Sequence, residues 1–188
     1  IPHTENVTMM WAVRVLGPLL FSPTDWCIKI PQMARGIPQS VARDQIAEFA
    51  LKDPEVSHIL WVDTDNIPVK QNDKGEWECI DPNLALLMLY QVNQPIVSGL
   101  YRAKQKEGFN YAAWMDAKLP DRQGFVPIKD YTGNFFPVDV AGMGFCLIKR
   151  EVYEKVPRPW HPWPEPSPSE DFNFFTACKK FGYKLNIF

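Results

Sequence analysis

Few residues of this chain are of the kind that build metal clusters or disulfide frameworks. Its 188 residues include three histidines and four cysteines, Cys27, Cys79, Cys146 and Cys178. The cysteines lie far apart with no C-x-x-C spacing, which argues against zinc ligation. Two of them sit in core-like contexts, so reduced thiols and a cytoplasmic compartment are expected. No run of about 18 apolar residues occurs, so nothing reads as a membrane-spanning helix. The nearest stretch, Met9 to Phe21, is broken by Arg14, Gly17 and Pro18. Nor is there an excess of one charge. The formal net charge of −2 argues against a broad footprint on nucleic acid or an anionic membrane. No signal peptide or internal repeat is visible. The chain begins at Ile1 and stops at Phe188 inside an expected strand, so a truncation is expected there, at the C-terminus above all.

What is present fits one globular domain with a substantial core. Hydrophobic residues are 46% and charged residues 22% of the chain, an ordinary soluble balance. Strands are expected at Thr8 to Val15 and Trp26 to Ile30. A helix follows near Gln39 to Lys52, with Ser40 as N-cap and Ala42, Ile46, Phe49 and Ala50 on one face. Ser57 to Val62 reads as a strand, and the polar Lys70 to Cys79 as a loop or hairpin. Asp81 and Pro82 supply an N-cap and a first-turn proline for a helix to about Gln91, rich in Leu84, Leu87 and Met88. Pro95 to Tyr101 is another strand. Helices between apolar strands imply parallel pairing and an α/β sandwich. From Arg102 to Pro137 polar turns suggest a long insertion with hairpins. Strands at Val138 to Ala141 and Phe145 to Lys149 flank AGMG, and a short helix covers Arg150 to Lys155. The proline-rich Pro157 to Ser169 must be extended loop. A helix over Asp171 to Phe181 and a strand over Tyr183 to Phe188 end the chain.

The most informative stretch is ILWVDTDNIP, Ile59 to Pro68. An apolar strand ends in two carboxylates, Asp63 and Asp65, at the carboxyl edge where open α/β sheets bind ligands. Such a pair offers hard oxygen ligands to Mg²⁺ or Mn²⁺. Asp at a strand end also caps backbone N–H groups in turns, and both readings stand at this point.

A second constellation is SPSEDFNFF from Ser167. Ser167 as N-cap, Pro168 at the first helical position and Glu170 form a capping box. This accounts for Glu170 and leaves Asp171 over. Successive helical residues diverge by roughly 100°, so Glu170 and Asp171 are not expected to share one partner. Phe172, Phe175 and Phe181 supply the stripe that docks this helix. First-turn acids are also ordinary partners of the helix dipole. In AGMGF, Ala141 to Phe145, the glycines mark either a tight turn or a place where a ligand fills the missing side-chain space.

Read in order, ARDQIAEFAL, ILWVDTDNIP, PIVSGLYR, VAGMGFCLIKREVYEKV and SEDFNFFTACKKFGYKL resemble the nucleotide-sugar-dependent glycosyltransferases of the GT-A fold, of the DxD-containing, family-2-like kind. The resemblance covers most of the chain from about residue 36. It implies a single Rossmann-like GT-A domain, a mostly parallel central sheet flanked by helices. Residues 1–101 would form the nucleotide-sugar-binding half and 102–188 the acceptor-side half. Asp63 and Asp65 would hold a divalent cation, Mn²⁺ or Mg²⁺, on the diphosphate of a nucleoside-diphosphate-sugar donor, with Asp63 also near the ribose. Arg43 would face the nucleotide, although Asp44 stands where the family commonly has Asn. Gly99 would lie near the donor sugar, and Gly142 and Gly144 near a carbohydrate or other hydroxyl acceptor. Asp171 would be the base that deprotonates that hydroxyl, with Glu170 beside it as the second catalytic candidate. A histidine after the last strand commonly completes the family's metal shell; this chain ends before one, and His161 in the proline-rich loop is a poor substitute.

In that loop Trp160 and Trp163 offer either a platform for an acceptor sugar or lipid, or core packing. The loop could also serve as a recognition strip for another protein. A non-catalytic glycosyltransferase-like binding module is therefore the alternative function. A haloacid-dehalogenase-type phosphohydrolase shares the apolar run before D-x-D. It wants Thr or Val where this chain has Ile67, and it places the motif on its first strand.

Overall fold

Side chains alternate faces along a strand. In Ile59 to Val62 and Phe145 to Ile148 both alternating sets are apolar, a pattern that suits a sheet covered on two sides. The computed structural model describes Leu19 and residues 37–64, 66, 68–71, 74–101, 111–118, 124–129, 135–163 and 169–188. The strands expected at Thr8 to Val15 and Trp26 to Ile30 lie outside the described residues, as do Asp65, Ser167 and Pro168.

In chain order the elements are α1 (Gln39–Lys52), β1 (His58–Val62), β2 (Val69–Gln71), β3 (Trp77–Cys79), α2 (Pro82–Gln91), β4 (Ile96–Ser98), β5 (Ala113–Asp116), β6 (Phe125–Pro127), β7 (Phe136–Val138), β8 (Val140–Ala141), β9 (Phe145–Lys149), α3 (Arg150–Lys155), α4 (Glu170–Lys180) and β10 (Leu185–Ile187). Five strands form the main sheet in the order β1-β9-β4-β10-β7. β2 and β3 make the hairpin of the polar excursion, and β6-β5-β8 form a small second sheet.

The expectation of a mostly parallel sheet needs correction. Among the described residues only β4 and β10 pair in parallel; β1–β9, β9–β4 and β10–β7 are antiparallel. β1 and β4 do run the same way, as their helical connection requires. β9 inserts between them, runs opposite and pairs with each. The architecture is a mixed α/β sheet. Local periodicity reports which segments are strands but not which distant strand will lie between two of them.

Both faces are buried. Ile59, Trp61, Ile96, Cys146, Ile148, Leu185 and Ile187 face one core, which also takes residues of α1, α3 and α4. Leu60, Val62, Val97, Phe145 and Leu147 face the other, closed by Ala85, Leu86 and Leu89 of α2. Fully burying one such aliphatic side chain contributes about 1.5–3 kcal/mol. Cys146 and Cys178 are buried thiols of the first core.

α1 has the expected limits, but its N-cap is Pro38, and Ser40 lies buried inside the helix. Phe49 is 60% exposed; the inward face carries Ala42, Arg43, Ile46 and Ala47 instead. At the far end of α1 the Arg150 guanidinium donates to the carbonyls of Leu51 and Asp53, both at 2.7 Å. Carbonyls of a helix's last turn lack intrahelical partners, so this contact anchors the helix that carries Arg43. In α2 the Asp81 side chain caps Asn83 N–H at 2.7 Å, as expected, while Leu84 faces outward. α4 packs through Phe172, Phe174 and Phe175, whereas Phe181, expected in that stripe, is exposed.

Candidate active site

Several chain segments end or begin at one edge of the main sheet. β1 runs out into Asp63 and β4 into Gly99 and Tyr101. β9 starts there after the Gly142–Gly144 turn, and α4 opens there with Glu170 and Asp171. Backbone bonds lock these pieces together: Asp63 N–H donates to Gly144 O at 2.9 Å, and Gly99 N–H to Phe145 O at 2.8 Å. The Ser98 hydroxyl reaches the Gly142 carbonyl at 3.3 Å.

Arg43 is the centre. Its side chain is 1% exposed, and its Nη1 donates to Glu170 Oε1 at 3.1 Å and also to Asp171 Oδ1. Nη2 lies 3.6 Å from Asp63 Oδ1. The guanidinium carbon sits 5.8 Å from the Trp61 ring centroid, and the Trp61 indole N–H donates to the Tyr153 hydroxyl at 2.8 Å. Burial opposes the Arg43 charge, and Asp171, Asp63 and Glu170 more than offset it, so its pKa lies above the ordinary value. One cation faces three carboxylates. Burial, reinforced by Glu170, pushes the Asp171 carboxyl above its usual range, with Arg43 opposing.

Two expectations about α4 are overturned. Its N-cap is Ser169, which makes no side-chain capping bond, and Glu170 is the first helical residue rather than the third. Glu170 and Asp171 do share a partner, Arg43 Nη1. The longer Glu side chain spans the angular divergence at the helix mouth, where the dipole favours carboxylates. The second Asp171 oxygen accepts the Met143 N–H at 3.3 Å, which ties the carboxylate to the glycine turn.

The structure thus brings Arg43, Asp63, Glu170 and Asp171 together and places Gly142 and Gly144 beside them. Gly99 lies along the same edge, where a Cβ would sit 3.3 Å from the Phe145 ring. Asp65 lies outside the described residues. Trp160 is corrected to a core residue. It is 4% exposed, and its indole N–H donates to the Val156 and Tyr153 carbonyls at 2.8 and 3.1 Å. Trp163 is 63% exposed.

His161 is buried and bonded to Asp44, whose Oδ1 accepts from its backbone N–H at 2.9 Å and meets Nδ1 at 2.8 Å. Asp44 therefore ties the proline-rich loop at His161 to α1, next to Arg43. Tyr101 was not singled out in the sequence. The signal for it was its place two residues beyond Gly99 at the carboxyl end of a strand. Its hydroxyl accepts the Gly144 N–H at 2.8 Å. Burial, with Asp171 and Asp63 nearby, pushes its pKa far up, so the phenol stays protonated.

Among the described residues no group of three His, Cys, Asp or Glu side chains is arranged to hold a metal ion. The three carboxylates that converge do so on Arg43. Asp63 alone of them is substantially open, at 34% side-chain exposure against 18% for Asp171 and 6% for Glu170. Its hard oxygens suit Mg²⁺ or Mn²⁺. No helix of the described residues is long and apolar enough to cross a membrane.

No family model and no curated protein matches this chain. Among solved structures it is similar to the crystal structure of A197 from STIV, with a TM-score of 0.51 and 20% identity. The match covers 79% of this chain and 62% of that one, and at this identity the likeness concerns the fold alone.

Proposed function

We propose that this chain is a nucleotide-sugar-dependent glycosyltransferase that uses Asp171 as general base and Asp63 on the donor side. One observation carries the reading. Arg43 gathers Asp63 from the end of a strand and Asp171 from the start of a helix, at the sheet edge where α/β folds bind ligands. In the reaction, an acceptor hydroxyl oxygen bonds to the sugar's anomeric carbon as the bond from that carbon to the diphosphate breaks. The hydroxyl proton passes to an Asp171 oxygen, and attack from the face opposite the leaving group inverts the anomeric centre. A positioned base of this kind contributes typically 10²–10⁴-fold. A carboxyl pKa raised by burial makes Asp171 the stronger base, and Arg43 holds it oriented and ionised. Glu170, the second catalytic candidate in the sequence, is buried on Arg43 and serves to position that guanidinium. A divalent cation would be held by Asp63 and Asp65, and when bound it supplies Lewis-acid neutralisation of the leaving diphosphate. Were that end so assisted, one carboxylate would suffice where glycosidases use two.

The test is a thermal-shift and calorimetric screen of nucleoside diphosphates and their sugars with and without Mn²⁺, since a ligand of the native state raises apparent stability. Asp63→Ala should lose Mn²⁺-dependent binding. Asp171→Asn should keep binding and lose transfer. If the wild-type chain has no Mn²⁺-dependent affinity for any nucleotide sugar, the enzyme reading fails in favour of a non-catalytic binding module.

A further inference from the structure

The glycine turn owes its composition to two side chains, Tyr101 and Asn66. Gly142 and Gly144 do not have left-handed φ values, so backbone conformation does not demand glycine there. Space does. A Cβ on Gly142 would collide with the Tyr101 hydroxyl and lie 2.9 Å from its Cζ. One on Gly144 would strike Asn66 Nδ2 and lie 2.7 Å from the Tyr101 Cζ. The room left by two absent side chains is occupied by the Tyr101 phenol of this same chain and, at Gly144, also by the Asn66 carboxamide from the loop that follows β1.

Adjacent amides of this turn hold two oxygens. Gly144 N–H binds the Tyr101 hydroxyl, and Met143 N–H binds Asp171 Oδ2. A hydroxyl on a six-membered ring thus sits next to the candidate base, with the carboxamide of Asn66 alongside. We propose that Tyr101 fills the acceptor subsite and sets its specificity: a hydroxylated six-membered ring, of the pyranose kind, binds over Gly142–Gly144 by displacing the phenol, and one of its hydroxyls takes over the Gly144 amide beside Asp171. This rests on the glycosyltransferase reading. Until the phenol leaves, it keeps water from that place, which protects a bound donor from hydrolysis. Tyr101 is half-buried, and the exchange asks only that its side chain rotate away from the turn.

The experiment follows the Gly142, Met143 and Gly144 amide resonances of the ¹⁵N-labelled chain during titration with methyl glucosides, galactosides and mannosides. Tyr101→Ala should bind at least one glycoside about tenfold more tightly than wild type, with the largest shift at Gly144. Tyr101→Phe, which keeps the ring and loses the hydroxyl bond, should show a gain of about threefold. Nucleoside-diphosphate release from donor in water should also rise about tenfold in Tyr101→Ala. If wild type binds every glycoside as well as both variants do, or if the Gly144 amide is unmoved in both, the proposal is overturned. Should Tyr101→Ala fail to fold, Tyr101→Phe decides alone, and unchanged glycoside affinity in it refutes the subsite. Failure of nucleotide-sugar binding in wild type refutes the glycosyltransferase reading instead, and the glycoside titration still reads the turn without a donor.

Discussion

Replacing Arg43 by Met removes the one cation from a site with three carboxylates and keeps most of the side-chain volume. At an effective dielectric of about 20, unit charges about 4 Å apart interact by about 4 kcal/mol. Arg43 has partners at 3.1 and 3.6 Å in addition to Asp171. Desolvation cancels much of that attraction in the intact cluster. Removing one partner leaves the others buried and uncompensated, at a cost of about 3–5 kcal/mol. In a chain of this size each kcal/mol moves Tm by about 2–4 °C, so Arg43→Met should melt on the order of 10 °C lower at neutral pH. The loss should depend on pH in a defined direction. The folded-state pKa of Asp171 is raised above its ordinary value by burial and Glu170, with Arg43 opposing. A carboxyl raised in the folded state adds stability below its unfolded pKa and loses it as pH rises through the folded pKa. Without Arg43 the folded pKa climbs further and the loss grows. The deficit of Arg43→Met against wild type should therefore be largest near pH 7 and shrink towards about pH 4. Urea melts across that range, compared at constant m value, measure it. A deficit independent of pH, or one below about 1 kcal/mol at pH 7, would refute the idea that charge compensation is what Arg43 provides.

Two further substitutions test the supports of this site. Tyr153→Phe removes the acceptor of the buried Trp61 indole N–H, and chemical denaturation should show a loss of about 1–3 kcal/mol from the orphaned donor. Asp44→Asn weakens the hold on His161, whose pKa burial depresses while Asp44 partly restores it. A histidine with a depressed folded pKa adds stability above its unfolded pKa and loses it as pH falls through the folded one. The variant should accordingly lose more stability than wild type between about pH 6.5 and pH 5, and equal acid sensitivity in the two would contradict the pairing.

Much of the local structure was legible. α1 follows from apolar periodicity and α2 from the Asp81–Pro82 start, and the hairpin follows from a polar interruption between apolar runs. Where a helix face went wrong, as at Phe49, the moderate amphipathicity of α1 allowed two orientations, and tertiary packing chose between them. The insertion of β9 between β1 and β4 is a pairing across a long sequence separation and leaves no local trace. Of the residues that converge, Asp63 and Asp171 stand out in the sequence by pattern and Arg43 by the resemblance, but the hub they form does not. Buried arginines are rare, and a sequence gives no sign that carboxylates separated from Arg43 by up to 128 residues will take it as a shared partner. Nor does AGMG reveal whether its empty volume receives a ligand or a neighbour's ring.

The hub also changes what metal removal should do. If the acidic cluster depended on a divalent cation for its folding, chelation would leave Glu170 and Asp171 facing each other and the fold would weaken, as in metal-dependent small domains. Here Arg43 is the counter-charge that the two inner acids share, at 6% and 18% side-chain exposure, and Asp63 at 34% faces outward enough for water to solvate it. Chelation with EDTA should therefore leave the Tm of the wild-type chain within about 1 °C while abolishing any Mn²⁺-dependent nucleotide-sugar binding, because ligand linkage acts only when ligand is present. The same treatment of Arg43→Met provides the control. Without the guanidinium, added Mn²⁺ becomes the cation available to three carboxylates, and it should raise the Tm of the variant more than that of wild type. Equal responses of the two proteins to Mn²⁺, or a wild-type Tm that falls by several degrees on chelation, would show that the fold relies on metal charge after all.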